Sequence, residues 1–454
     1  MRKSRFARSA GLFAEDAYYQ RSDKETAAHK RDVVLAAVAV LALVATGIIG
    51  TIGAAAFILL ALILATLRIG ETVRDLIRFA PLLILPLLAI LSTIWSDAPE
   101  RTLRAGLQLL ITIVAAISVS RGLSPRSMVL VLYCGFLASC LLAIPDIPAS
   151  LQTGSALSGP YESKNQMGFT AQFLMASALA VTVDPRQFAI ARISGVVAIP
   201  ISFLLLFLAQ SSGAQTTAAI TLITFPVFLV FGRVNISFRI GLLLVMFVMI
   251  TIVMILLPDF LAAWTDFRQS VLKKDATLTG RTYLWEVAAR LNAEKPFLGR
   301  GYYAFWREGN LDAEGLWRWG GITGRHGFNF HNAFIEIQVD LGWVGQAILI
   351  VISIWVAAVA MLRQFLRPSI HAAFLLSLIL VIYARSYAES GLLSPFSLLT
   401  FLWIAVAAYS HAPPASEEPA AKSQAYNRAN YPQINLRHAE GSFNISARSL
   451  RKLK

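Results

Sequence analysis

Charge is scarce in this chain. Of 454 residues only 15% are Asp, Glu, Lys or Arg, while 56% are hydrophobic and the mean hydropathy is +0.62. A soluble globular domain carries about 25% charged residues. The composition therefore excludes a set of soluble domains and points to a polytopic membrane protein. Cysteine is almost absent. Cys134 and Cys140 stand six apart on one expected helix, point to different faces, and cannot bridge within it. Metal-ligand patterns are missing too: there is no HxxxH, no CxxC and no Asp-rich loop, and His326 and His331 are five apart, off a common helical face. No Walker A loop or GxSxG elbow is present, and Gly299-Arg300-Gly301 lacks the strand that a dinucleotide fingerprint needs. No metal and no cofactor is implied. The first 32 residues contain no apolar h-region, so no cleavable signal peptide is expected.

What the chain has instead is long apolar runs. Val33 to Leu67 is 35 residues without a charge. One straight helix of that length would be roughly 52 Å long, against about 30 Å of hydrocarbon. It must break, and Gly47, Gly50 and Gly53 mark where. Further spans are predicted at about 79–95, 105–120, 127–145, 165–183, 193–209, 214–232, 238–257, 343–361, 369–387 and 394–410. The expected fold is all-α, with about 12 transmembrane helices and one large periplasmic loop. The segments are a basic N-terminal arm over 1–32, spans 1–9 over 33–257, the large loop over 258–342, spans 10–12 over 343–410, and a disordered tail over 411–454.

The net charge of +14 does not mark a nucleic-acid partner, because the basic residues sit in tails and short connections. Counted on alternate sides of the expected spans, 26 Lys and Arg fall on the side of both termini and four in the short connections of the other side. The remaining ten lie in the large loop, which is long enough to escape the positive-inside rule. Both termini are thus expected in the cytoplasm, with the large loop facing outward, into the periplasm if the cell is Gram-negative. The basic arm reads either as a tail lying on anionic lipid or as plain disorder.

Candidate chemistry gathers on the outer side. His331 is expected to start an amphipathic segment in which Ile335, Gln338, Gly342 and Gly345 share its face, so that the two glycines admit a close helix. An imidazole there can take a proton from a hydroxyl, or simply cap a helix at the interface. Arg281 and Trp285 share a face of a helix that Thr279 is expected to cap, an arrangement suited to a phosphate or sugar. Arg101 and Arg104, Lys164 and Asn165, and the i, i+4 pair Arg385 and Glu389 lie at outer span ends. Each reads as an anchor alone; as a set they offer several cations to a pyrophosphate. Trp285, Tyr302, Tyr303, Phe305, Trp306, Trp317 and Trp319 read as sugar-stacking groups or as an interfacial belt.

Taken together, these residues resemble a known family. His331-Asn332, nine residues, then Gly342-Trp343-Val344-Gly345 resembles the H-N-x9-G-x-x-G signature of the O-antigen ligase and polymerase superfamily. Trp95-Ser96 with Pro99 and Arg101, Lys164-Asn165 with Gly168, Gly280-Arg281 with Trp285, Pro296 with Gly299 and Gly301, and Arg385 with Glu389 resemble its upstream and downstream pieces. The likeness covers about residues 80–410 and is nearest to exopolysaccharide repeat-unit polymerases. Two departures stand out: Gln346 follows the last glycine, and Ser211-Ser212-Gly213-Ala214 lacks the arginine that many members carry. The resemblance implies glycosyl transfer from a polyprenyl-pyrophosphate-linked oligosaccharide, without metal or nucleotide. It casts His331 as base or acceptor-positioning group, and Arg281 with Lys164, Arg101, Arg104 or Arg385 as charge compensation. Asn332 and Glu389 come with the signature as substrate-binding candidates. Membrane lipid, and chain-length-control and export proteins of such a pathway, are the implied partners. A ligase acting on a lipid A core or another acceptor, and a lipid-linked oligosaccharide transporter, are the alternatives.

Overall fold

The computed structural model describes residues 27–241, 280–325 and 327–411, and among them every regular element is helical. Among the described residues eight helices are long and apolar enough to cross a membrane, or nine if one bent pair counts as a span. The protein is a multi-pass membrane protein. The span expected at 238–257 falls almost wholly outside the described residues, as do the N-terminal arm, most of the tail, His326 and Thr279.

The long apolar run breaks as its length requires. Helix α1 (Ala27–Ile49) ends at Gly50, which turns the chain with φ +57°, and α2 (Thr51–Leu67) packs back along it. After α2 the chain bends by 102° into α3 (Ile69–Arg78). The next apolar stretch, 80–94, holds Pro81 and Pro86. It forms two 3-10 turns around the short α4 (Ile84–Leu91) instead of one long helix, because proline removes a donor from the ladder. Then come α5 (Pro99–Gly122), α6 (Pro125–Leu141), α7 (Ile147–Thr153), α8 (Lys164–Val183), α9 (Ala189–Leu208) and α10 (Ser212–Phe231). The centre of the bundle is α8. It packs on α6, α9 and α10, and at Gly168 it comes so close to Ala214 and Ser211 of α10 that a side chain would collide.

The described part of the large loop, from residue 280 on, is folded. Helices α11 (Arg281–Glu294) and α12 (Leu311–Trp319) enclose a second apolar core of Leu284, Val287, Leu291, Phe305, Leu316, Trp317 and Phe330. Tyr302, Phe305 and Trp317 are at most 2% exposed. Phe305 and Trp317 hold the loop together from inside and Tyr302 packs into the bundle core, so neither a belt in lipid nor free stacking platforms describes the three. Trp319, by contrast, is exposed and packs against Tyr283 and over Gly280.

Helix α13 (Ala333–Leu366) carries the most consequential irregularity. Gly342 sits at φ 66°, ψ −165°, inside what is otherwise 34 helical residues. The expected continuous face through Gly342 and Gly345 therefore does not exist. What approaches is the backbone of 296–301, not a helix. Trp343 N–H donates to Pro296 O, Val344 N–H to Phe297 O, Arg300 N–H to Val339 O and Gly301 N–H to Asp340 O. A broken helix leaves carbonyls and amides without partners, and this loop satisfies them. The two pieces fold toward each other, since Gln346 Nε2 reaches Phe334 O at 3.3 Å, twelve residues back; a straight helix would separate those residues by about 18 Å.

Helices α14 (Ile370–Ala388) and α15 (Leu398–Ser410) close the bundle. Helix α15 has 13 residues, about 20 Å, and is buried from Leu399 to Ser410. The irregular segment 389–397 precedes it. Its backbone is satisfied by side chains: Ser397 Oγ and Thr400 Oγ1 donate to Gly391 O, and Phe396 N–H donates to Thr112 Oγ1. Unwound backbone at membrane depth is tolerated where it lines a cavity.

Candidate functional site

The ring of His331 lies where the folded loop meets segment 389–397. Asn332 begins α13 by accepting hydrogen bonds from the N–H groups of Phe334 and Ile335. Asn332 is thus a buried N-cap, and its side chain is spent on the helix start. His331, one residue earlier, has φ +51°, and its N–H donates to Asn329 Oδ1. A non-glycine residue in that region costs energy that the surroundings must offset. Tyr303, Leu393 and Phe396 share this conformation nearby, so strained backbone concentrates here.

Glu389 joins the parts. Sequence spacing pairs it with Arg385 on one helix face, but α14 ends at Ala388, and Glu389 is extended at φ −150°, ψ 148°. Its side chain leaves the helix face and reaches the loop. One carboxylate oxygen lies 2.9 Å from His331 Nδ1 and the other 3.1 Å from Arg281 Nη2. The three side chains are 28%, 17% and 26% exposed for His331, Glu389 and Arg281. Burial alone would push the Glu389 carboxyl up; the His331 hydrogen bond and the charges of His331, Arg281 and Arg385 outweigh it and hold Glu389 below the usual carboxylate range. A carboxylate only accepts, so Nδ1 carries the proton in the neutral ring and Nε2 keeps its lone pair. This is the geometry of an oriented base.

Arg281 begins α11 behind Gly280, which occupies the cap position at φ 78°. Trp285, one turn on, donates its indole N–H to Phe330 O at 2.9 Å and meets Tyr387 edge-on. Trp285 fastens the His331 loop to α14 and has no donor left for a ligand.

Two cavities flank segment 389–397 and share Ser390 and Gly391 as wall. The loop-side cavity, about 310 Å³, is bounded by Arg101, Trp306, Phe328, Glu336 and Asp340 among others. The bundle-side cavity, also about 310 Å³, lies among Leu43, Val44, Phe136, Phe169, Phe173 and Arg385. In it the Arg385 guanidinium stands 3.3 Å above the Phe169 ring, a cation–π contact, in walls that also carry Thr46, Gln166, Thr170 and Ser397. Glu336 was not singled out in the sequence. It accepts from Trp306 Nε1 at 2.7 Å, from Phe330 N–H at 3.0 Å and from Ser390 Oγ at 3.2 Å. The signal was available, since Glu336 and Asp340 are two acids one turn apart where an apolar span begins.

The remaining candidates lie apart. Arg104 and Lys164 are exposed and border neither of these cavities, and Asn165 accepts a hydrogen bond from Ser211 Oγ at 3.0 Å. That bond joins α8 to α10. No group of three or more metal-ligating side chains occurs among the described residues.

Residues 197–350, a stretch with Arg281, Trp285, His331, Asn332 and both Gly342 and Gly345, match the O-antigen ligase family model. Over that stretch the chain is similar to the O-antigen ligase family. It is also 28% identical over 326 residues to the exopolysaccharide production protein ExoQ of Rhizobium meliloti (strain 1021), an alignment that covers 69% of this chain and 73% of the relative. Arg101, Arg385 and Glu389 lie outside the O-antigen ligase match, yet the fold brings Glu389 into contact with two residues inside it and Arg101 and Arg385 to the cavities beside it.

Proposed function

We propose that the protein polymerises polyprenyl-pyrophosphate-linked oligosaccharide repeat units into exopolysaccharide, by glycosyl transfer at the periplasmic face of the bacterial inner membrane. Residue 331 carries the reading: an imidazole whose Nδ1–H is held by Glu389 and whose Nε2 has no hydrogen bond among the described residues. An acceptor hydroxyl gives its proton to Nε2 while its oxygen bonds to the anomeric carbon of the donor. The bond from that carbon to the phosphate oxygen breaks, and the pyrophosphate leaves with the electron pair. Arg385, at the wall of the bundle-side cavity, and Arg281, beside Glu389, supply positive charge where negative charge grows. Such cations offset that charge without a metal ion.

The excess of Lys and Arg on the side of both termini supports the outward placement of this site and the cytoplasmic placement of the termini. The printed name of the relative, an exopolysaccharide production protein, supports polymer synthesis, as does the missing arginine in Ser211-Ser212-Gly213-Ala214.

A size profile of carrier-linked and secreted glycan tests the proposal, in a deletion strain complemented with wild type or His331→Ala. Single repeat units on the carrier, without rescue by the mutant, are the expected result. Long polymer stranded on the carrier would mean a ligase. Repeat units trapped on the cytoplasmic face would mean a transporter.

A further inference from the structure

Most of the loop-side cavity has no part in the proton and charge steps above. A buried indole donor and a carboxyl oxygen at its wall are unspent. Asp340 is 3% exposed and gives Oδ2 to the Tyr303 N–H at 3.0 Å, while Oδ1 has no hydrogen-bond partner among the described residues. Trp317 is 2% exposed, and its indole N–H has no partner among the described residues. Both residues line the same cavity. Buried donors and acceptors are almost always satisfied, and an open pair of them marks a place where something else completes the bonding.

The rest of the wall says what that is. Tyr303, Trp306 and Phe328 present aromatic surface, and Arg101 stands exposed at the edge. Aromatic planes for C–H faces, a carboxyl for hydroxyl donors and a guanidinium for oxygen acceptors are together the chemistry of a sugar residue. Two carboxyl groups, Glu336 and Asp340, oppose a pyrophosphate, which the Arg385 cavity suits better. A volume of about 310 Å³ is at the small end of ligand sites, which run to about 1,000 Å³. The cavity adjoins the imidazole, because the rings of Phe328 and His331 meet edge-on with centroids 6.0 Å apart.

We infer that this cavity binds the terminal sugar of the acceptor glycan, with Asp340 accepting hydrogen bonds from its hydroxyls and Trp317 donating one. The inference rests on the glycosyl-transfer reading, and it divides the two cavities: acceptor sugar on the loop side, donor pyrophosphate on the bundle side. Asp340 fixes which acceptor is taken and how it faces His331, without touching the bond that breaks.

The test uses the full-length protein in nanodiscs. Its probe is the lipid-free repeat-unit oligosaccharide, released by mild acid from the carrier of a deletion strain. Saturation-transfer NMR and tryptophan fluorescence report binding. Wild type should bind it, and Asp340→Asn should bind on the order of tenfold more weakly. Asparagine can still accept from Tyr303 N–H, so the local fold is kept. Arg101→Gln, at an exposed residue, should weaken binding in the same direction. Arg385→Ala should bind the soluble oligosaccharide like wild type and fail to transfer from the lipid-linked donor. Wild-type affinity in Asp340→Asn, or in Arg101→Gln should Asp340→Asn not fold, overturns the inference, as does absence of binding by wild type. Intact binding, lost in these variants, with no transfer by wild type from the lipid-linked donor would sink the polymerase reading and leave the sugar site standing.

Discussion

Replacing Glu389 with glutamine tests whether the imidazole is a base held in one tautomer. The substitution keeps the shape and removes one negative charge. In the wild type that charge accepts from His331 Nδ1 at 2.9 Å and pairs with Arg281 at 3.1 Å. A hydrogen bond to a charged group contributes about 1.5–3 kcal/mol. Both contacts are partly exposed, so solvent screening brings each toward the lower end. Two such losses come to about 3–4 kcal/mol of positioning, or on the order of 10²- to 10³-fold in rate. The amide can also turn its NH2 toward Nδ1. That would shift the ring proton to Nε2 and remove the base. Turnover of lipid-linked repeats in nanodiscs should therefore fall by about 10²- to 10³-fold, in a protein that still folds. The double variant with His331→Ala should be no slower than His331→Ala alone, since residues acting as one unit are not additive. Glu389→Gln at near wild-type rate, or a double variant slower by the product of the single effects, would refute the reasoning.

Other outcomes follow from the same geometry. Gly342→Ala puts a methyl group against the backbone of Phe297 and Leu298, in a conformation that non-glycine residues hardly adopt; stability should drop by about 3 kcal/mol or more, read as loss of folded protein in detergent. Arg104→Ala should polymerise within about twofold of wild type, as surface changes are usually small, whereas Arg385→Ala should abolish polymer in the same size profile. Because Glu389 titrates below its ordinary value of 4.5, its ion pairs add stability that is full above about that pH and is lost as pH falls through the folded value. Thermal unfolding followed from pH 7 to pH 3 should show this acid loss in wild type, and Glu389→Gln should show less of it.

The helices were legible because hydrophobic length is a strong signal. Eight runs became helices that can cross a membrane, and the break near Gly50 follows from arithmetic on length. The irregular pieces were harder. Pro81 and Pro86 could have warned that 79–95 would not be one regular helix. The partner of Glu389 could not be read at all, because helical spacing assumes a helix and α14 stops one residue short. Nor could the break at Gly342: the same two glycines suit a close helix or a backbone loop, and only tertiary contact with 296–301 decides. Asn332 and Trp285, both expected at the ligand, hold the His331 loop in place, a role that spacing did not show, since a side chain with an unsatisfied backbone group beside it will bond that first.

The break in α13 has a mechanical consequence. The short piece ahead of Gly342 bears His331 at its start and Glu336 and Asp340 along its body, so imidazole and cavity wall ride on one lever. The piece behind, Trp343 to Leu366, is the part that lipid grips. When bilayer thickness changes, a span answers by tilting, and the break at Gly342 is where we expect that tilt to be taken up. Distances within the lever stay fixed. The protein should therefore keep its turnover across lipids of different acyl length, where a rigid 34-residue rod would drag its chemistry along with the membrane.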